Sequence, residues 1–414
     1  MQLTSVVSLK PSPGAGDQGI EKVLRALRIH LNMDVAFVSR FRLADRVFTH
    51  VDARGASPLK AGDVLSLEAG YCKKVVDGQL PQLIPDTGAV PLAMAIPETR
   101  ALPIGAHLSV PIHLNDGRLY GTLCCFSGRS DSSLGQRDLA MLKVFAELIA
   151  DRLEDGQKAK EERLRKHRTI CAALAKAQPS VVYQPIVDLH QGQICGWEAL
   201  ARFTDEPLRG PDEWFREAAE AGLGLEMELR ALEKALAGLD NLPTDHYLSL
   251  NCSPQLFFSP RLGRLLAAHD PRRLVLELTE HYVVADYVAL VDALAPMRAA
   301  GMRLAIDDAG AGYASMRHIL QLRPDIIKLD MTLTQGIEGD AQRRAMASAL
   351  IAFAKETGST VVAEGVEDVA DLVTLRRLGA GKVQGYLTGR PMPLALASHW
   401  QVPRLPELSG PGRR

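Results

Sequence analysis

Apolar and polar positions divide the chain into two segments of different pattern. In the first, Ile20, Val23, Leu24, Leu27 and Leu31 recur at three- and four-residue spacing and predict an amphipathic helix. Strand-like runs follow at residues 35–39 and 47–51, then at 106–112 and 119–126. Asn115-Asp116-Gly117 separates the last two and reads as a hairpin turn. Leu139, Leu142, Phe145, Leu148 and Ile149 mark one face of a helix over residues 136–153. Hairpin strands between flanking helices predict an α+β domain on an antiparallel sheet.

The second segment alternates short β-rich runs with amphipathic stretches. The runs are residues 181–187, 194–201, 247–251, 274–278, 303–307, 326–329, 361–364 and 382–386. Helical stretches lie between them, among them 214–239, 284–300 and 342–357. Eight runs in about 220 residues predict an α/β fold, a βα barrel, although an open sheet alternates in a similar way. The expected organisation is a flexible end at 1–18, a first domain at 19–153, a helical linker at 154–179, a barrel at 180–400 and a flexible tail at 401–414. Residues 154–168 are mostly Glu, Lys, Arg and Gln, which fits a solvated linker or one helix continuing from Gln136 through Leu174.

Composition narrows the class. A length of 414 residues suits two or three domains, and 48 Lys+Arg against 49 Asp+Glu leave a net charge of -1. That balance gives no reason to expect a nucleic-acid polymer or an anionic membrane as partner. With 47% hydrophobic and 23% charged residues, a mainly disordered or collagen-like chain is excluded. The six cysteines form no C-x-x-C pair and read as buried thiols in a reducing compartment. No apolar signal region opens the chain and no run of 18 apolar residues occurs, so a cytoplasmic protein is expected.

The candidate chemistry lies at the ends of the β runs, where barrels of this kind carry their catalytic groups. Glu198, Asn251, Glu277, Asp307, Asp308, Lys328, Glu364 and Gln384 each fall in or directly after an apolar run. One buried acid is commonly a structural ion pair. Seven runs each delivering a polar group are hard to explain as structure alone. Five converging carboxylates cannot all be ionised without cations between them. Hard oxygen donors without His or Cys select Mg²⁺ or Mn²⁺ over zinc, and their number suits two ions bridged by one carboxylate. Such a pair activates water for in-line attack on phosphorus, and Lys328 is placed to orient that water or offset phosphoryl charge. The chemistry expected is phosphodiester hydrolysis.

Glu198-Ala199-Leu200, within Tyr183-Gln184-Pro185-Ile186-Val187 and Gly196-Trp197-Glu198-Ala199-Leu200-Ala201-Arg202, resembles the signature of EAL-domain cyclic di-GMP phosphodiesterases. Later blocks match in order: Leu250-Asn251-Cys252-Ser253, Leu276-Glu277-Leu278-Thr279-Glu280, Ile306-Asp307-Asp308, Ile327-Lys328-Leu329-Asp330, Val362-Ala363-Glu364-Gly365-Val366-Glu367 and Gln384-Gly385-Tyr386. The resemblance covers residues 180–400. It implies a modified TIM barrel that linearises cyclic di-GMP to pGpG with two Mg²⁺ or Mn²⁺. Carried over residue by residue, Glu198, Asn251, Glu277 and Asp307 match metal ligands, with Asp307 as the bridge, and Asp308 and Glu364 match acids around the second metal and its water. Lys328 matches the lysine assisting the nucleophile, and Gln384 a glutamine that holds the site. Gln184, Leu200 and Arg202 match substrate contacts. Glu280 matches the anchor of the loop after the paired aspartates. That loop departs from the pattern: Ala309 replaces a phenylalanine, and Ala311 a threonine whose hydroxyl bonds the anchor. The departure puts the basal rate and regulation in question. A receptor that binds cyclic di-GMP without cutting it therefore stands as the alternative, and a barrel enzyme for another phosphate or enolate as a third.

The first segment resembles a GAF domain through its order of elements, Gly70-Tyr71-Cys72, Leu83-Ile84-Pro85-Asp86 and Tyr120-Gly121-Thr122-Leu123-Cys124-Cys125-Phe126. The resemblance implies a sensory module for an unknown small ligand, and it and the barrel imply a homodimer. Cys72 lacks the following His of bilin-binding members and reads as structural. Strand alternation points one of Cys124 and Cys125 inward and the other outward toward oxidants, though nothing in the sequence raises the reactivity of the outward one.

Overall fold

The computed structural model describes residues 15–57, 59–279, 284–310 and 313–403. Most of the two expected flexible ends, together with Glu280 and Ala311, lie outside the described residues. The chain forms two compact units that divide between residues 162 and 163. A single helix, Gln136–Ala175, carries the chain across that point, so the expected linker is helical along most of its length. Among the described residues no helix is long and apolar enough to cross a membrane.

The first unit is built on an antiparallel sheet of six strands: β1 (Val35–Phe41), β2 (Asp45–Ala53), β3 (Val64–Ser66), β4 (Leu83–Ile84), β5 (Ala106–His113) and β6 (Leu119–Ser127). Their order is β3-β2-β1-β6-β5-β4. Alternation sorts each strand's side chains onto two faces, and both faces are covered. Ala36, Val38, Leu108 and Cys125 pack with Ile20, Leu24 and Leu27 of the first helix and Leu142 and Ile149 of the long one. Val35, Phe37, Cys124 and Phe126 pack on the opposite side with Phe48, Tyr71, Cys72 and Ile96. This corrects one expectation. Cys124 and Cys125 do point to opposite faces, but each meets a core, and neither is exposed.

The second unit is a closed barrel of β7 (Ser180–Asp188), β8 (Gln193–Arg202), β9 (Tyr247–Asn251), β10 (Leu274–Thr279), β11 (Arg303–Ala309), β12 (Ile326–Leu329), β13 (Thr360–Ala363) and β14 (Lys382–Val383). It departs from an all-parallel barrel at β7, which runs antiparallel to both β8 and β14. The cause is short-range. The β7–β8 connection spans only residues 189–192, far short of a crossover helix, so the two strands can only form a hairpin.

Period-two alternation then layers the barrel interior. Ile186, Tyr247, Val275, Ala305, Ile326 and Val362 form one buried apolar cluster. Gly196 belongs to the same level, because a Cβ there would lie 2.5 Å from the Tyr247 ring. Two residues further along the parallel strands stand Glu198, Ser249, Glu277, Asp307, Lys328 and Glu364. An apolar plug beneath thus presents a polar layer at the C-terminal ends of these strands.

Gly385 fixes the last member of that layer. A Cβ at this position would lie 2.1 Å from the Val366 carbonyl oxygen and 2.3 Å from its nitrogen, both backbone atoms that cannot swing aside. Gly385→Ala is expected to destabilise the barrel by about 3 kcal/mol and to displace the adjacent Gln384. Urea unfolding measures the loss, and a midpoint equal to the parent's would refute the close packing.

Candidate active site

The polar layer converges on one ammonium. Lys328, 1% exposed, extends from β12 and places Nζ 3.2 Å from Glu198 Oε2, 2.9 Å from Glu277 Oε2, 3.1 Å from Asp307 Oδ1 and 2.8 Å from Glu364 Oε1. The four carboxylates arrive from β8, β10, β11 and the residue after β13. Glu198 also accepts hydrogen bonds from Asn251 Nδ2 at 3.1 Å and Gln384 Nε2 at 2.6 Å. Ser249, one strand over, donates from its hydroxyl to Glu277.

Consecutive strand residues ordinarily face opposite sides, yet Asp307 and Asp308 join one cluster. The backbone explains it. Asp308 has φ 57°, the left-handed region, and the β11–β12 register shifts between Ile306 and Ala309. Such a bulge turns a side chain that would face outward back toward the interior. Asp308 N–H donates to Asp307 Oδ1 at 3.0 Å, which fixes the turn.

Four carboxylates against one ammonium would leave three formal negative charges in a buried space. Burial pushes the Glu277 carboxyl well above the usual carboxylate range, and the neighbouring Glu198 and Asp307 charges push the same way. Burial and the Asp307 and Glu198 charges do the same to Glu364. Burial also opposes the Glu198 charge, but Lys328, Gln384 and Asn251 outweigh it and hold that carboxyl below its ordinary value. Lys328 is driven well up despite burial, because the carboxylates surround it, and it remains an ammonium.

The donor set suits divalent cations. Oxygens of Glu198, Glu277 and Asp307 lie within 4.8 Å of one another, as do those of Asp307, Asp308 and Glu364. Asp307 is common to both groups. All donors are hard oxygens, the type that selects magnesium or manganese. A cleft of about 1350 Å³ opens above, walled by Leu200, Arg202, Asn251, Ser253, Thr279 and Asp308 among others.

Of the residues singled out in the sequence, Gln384 is buried against Glu198, with its Nε2 also 3.1 Å from Gln184 Oε1. Gln184 is itself buried and donates to the Gly389 carbonyl at 3.1 Å, so its amide is engaged beneath the cleft. Leu200 and Arg202 line the cleft, with Arg202 Nη1 bonded to the Ala201 carbonyl at 2.8 Å. Two participants were missed. Ser249 had a signal, a hydroxyl two residues before Asn251 on the inward face of an apolar strand. Glu228 had none. It projects from the helix Gly224–Leu236 into the cleft wall and accepts from Ser253 N–H at 3.0 Å; burial raises its carboxyl.

Comparison with known proteins agrees with this architecture. The EAL domain model matches residues 167–391, and the GAF domain model matches residues 17–153. The bifunctional diguanylate cyclase/cyclic di-GMP phosphodiesterase MucR of Pseudomonas aeruginosa is 31% identical over 246 residues, 56% of this chain and 36% of MucR. The cyclic di-GMP phosphodiesterase NbdA of the same organism is 28% identical over 388 residues, 85% of this chain and 46% of NbdA. The chain therefore spans between about a third and a half of these relatives. The solved PaMucR phosphodiesterase, in complex with cyclic di-GMP, matches with a TM-score of 0.50 at 30% identity, covering 56% of this chain and 98% of that one. With the match extending over more than half of its 414 residues, the chain belongs to the EAL-domain family.

Proposed function

We propose that the barrel hydrolyses cyclic di-GMP to linear pGpG, using two Mg²⁺ or Mn²⁺ ions. The observation that carries this reading is the group of four carboxylates, three of them buried, gathered on Lys328, with Asp307 shared between two sets of hard donors. Glu198, Asn251, Glu277 and Asp307 would hold one ion, and Asp307, Asp308 and Glu364 the other. Bound there, the ions would acidify water and offset charge on the phosphoryl oxygens. Lys328, kept protonated by its neighbours, supplies a fixed donor where negative charge develops. Gln384 and Asn251 hold Glu198 in one orientation. Arg202, at the cleft wall, is suited to a substrate phosphate, and Leu200 to an apolar substrate contact. Glu280 keeps its proposed role as loop anchor.

The GAF domain would regulate this activity by binding a small ligand, and two copies of the chain would pair. The receptor reading is favoured by Ala309, which is fully buried where the resembling loops carry phenylalanine. Binding and cleavage of cyclic di-GMP measured side by side in Mn²⁺ separate the two. Accumulation of pGpG, abolished by chelation, is expected. Tight binding with no product in Mn²⁺, or in Mg²⁺ when the measurement is repeated with it, would leave the receptor.

Proton competition gives a further expected result. Glu277 and Glu364 are raised, so the metal-free site retains protons over a range where ordinary carboxyls have lost them. Metal binding must expel these protons, so affinity rises with pH. Calorimetric titration of Mn²⁺ in buffers of different ionisation enthalpy should show proton release and a dissociation constant that falls between about pH 5 and pH 8. An affinity independent of pH would contradict the raised carboxyls.

A further inference from the structure

A second buried polar cluster lies inside the first unit, remote in sequence from the barrel. Cys72, on the helix Tyr71–Val76, and Cys124, on β6, are both fully buried, with their sulfurs 3.7 Å apart. Arg46 reaches in from β2 and places Nη1 2.6 Å from Cys72 Sγ, while its Nη2 pairs with the Glu98 carboxylate. Ser39 Oγ stands 3.8 Å from Cys72 Sγ, and Ser109 Oγ 3.0 Å from Cys124 Sγ. A cavity of about 10 Å³, room for about one water-sized molecule, is lined by Arg46, Tyr71, Cys72, Glu98 and His107. Arg46 Nε and His107 Nδ1 are buried there without a hydrogen-bond partner among the described residues. A small polar guest therefore finds two unused nitrogen groups beside a thiol.

The two thiols are not equivalent. Burial raises Cys72, but the hydrogen bond with Cys124, the Arg46 charge and the Thr122 and Ser39 hydroxyls outweigh it and hold the thiol below its ordinary value, at about 6. Burial, with the neighbouring Cys72, raises Cys124 well above its ordinary value. Cys125, buried on the other sheet face without such partners, is pushed up to about 12. A nucleophilic thiolate beside a protonated thiol is the arrangement of an attacking and a resolving cysteine.

We infer that Cys72 and Cys124 form a dithiol reactive toward hydrogen peroxide, with Arg46 stabilising the Cys72 thiolate and the small adjoining cavity excluding bulkier peroxides. Cys72 Sγ attacks one peroxide oxygen. The O–O bond breaks, a Cys72 sulfenic acid forms, and the other oxygen leaves as hydroxide, which takes up the proton that Cys72 released on ionising and becomes water. Cys124 Sγ then attacks Cys72 Sγ and loses its proton, and the hydroxyl departs as a second water. The two thiols lose two electrons to the peroxide and become one disulfide, and a dithiol reductant reverses the change. The sulfurs must close from 3.7 Å to about 2.05 Å for this bond.

The test uses the full chain, reduced and freed of reductant, then exposed to one equivalent of hydrogen peroxide. Timed samples are alkylated and mapped by mass spectrometry. Cys72 and Cys124 should leave the reduced pool together, roughly ten-fold or more faster than Cys125. A peptide cross-linked through Cys72 and Cys124 should accumulate at the same rate and disappear with dithiothreitol. Loss of Cys72 without that cross-link, or equal rates at Cys72 and Cys125, would overturn the inference. Because this comparison is internal to the unmodified chain, it does not depend on a variant folding. Arg46→Gln, where circular dichroism shows it folded, should slow the Cys72 reaction about ten-fold; an unchanged rate would remove Arg46 from the site.

Discussion

Replacing Glu198 with glutamine is expected to lower turnover of cyclic di-GMP by about 10³-fold or more while leaving the barrel folded. Glu198 is where the site's hydrogen bonds meet: Asn251, Gln384 and Lys328 all donate to it, at 3.1, 2.6 and 3.2 Å. Its oxygens also belong to the donor group formed with Glu277 and Asp307. Glutamine keeps the volume but removes the charge, and its amide nitrogen would face other donors. The metal ligand and the orientation are therefore lost together. Far-ultraviolet circular dichroism checks the fold, and product formation in Mn²⁺ checks the rate. Turnover within ten-fold of the parent would show that Glu198 is not a ligand that matters to the chemistry.

The second large effect is on stability. Lys328→Met removes the ammonium that lies 2.8 to 3.2 Å from four carboxylates, three of them buried. Breaking a single buried ion pair costs about 3–5 kcal/mol, and in metal-free solution a loss of at least that size is expected here. The sign of its pH dependence follows from the carboxyls. Without the ammonium, Glu277 and Glu364 are raised further, so the folded chain favours their protonated forms. Stability is then retained near and below the unfolded carboxyl values and falls as pH rises above them. Mn²⁺ replaces the missing positive charge, so it should raise the melting temperature of the variant more than that of the parent. Activity would still fall, because the fixed donor is gone. Thermal unfolding with and without Mn²⁺ at about pH 5 and pH 8 measures each part. A loss below about 1 kcal/mol at the higher pH would mean that the carboxylates do not depend on Lys328.

The barrel was legible because its strands are short apolar runs that end on a charged or amide side chain. Period two then carries Val275 to Glu277, Ala305 to Asp307 and Ile326 to Lys328 on one inward face. The antiparallel β7 was also readable, since residues 189–192 leave no room for a crossover, but counting eight runs as a βα barrel passed over it. The eighth run, expected over residues 382–386, shrinks to Lys382–Val383, because Gly385 must pack on the Val366 backbone. The left-handed Asp308 was not legible. Both aspartates were counted in the converging set, but strand alternation alone would part them, and the bulge that brings Asp308 back has no sequence signal. Nor was the company of Cys72. Arg46 is 26 residues away in sequence and Cys124 is 52, and neither spacing carries a periodic signal. Long-range packing, not propensity, made that cluster.

Crystals of the full chain soaked in Mn²⁺ and measured at the manganese absorption edge test the central claim most directly. One anomalous peak is predicted between the oxygens of Glu198, Asn251, Glu277 and Asp307, and a second between those of Asp307, Asp308 and Glu364. A chain that cleaves cyclic di-GMP while these acids remain gathered on Lys328, with no peak among them, would contradict the account.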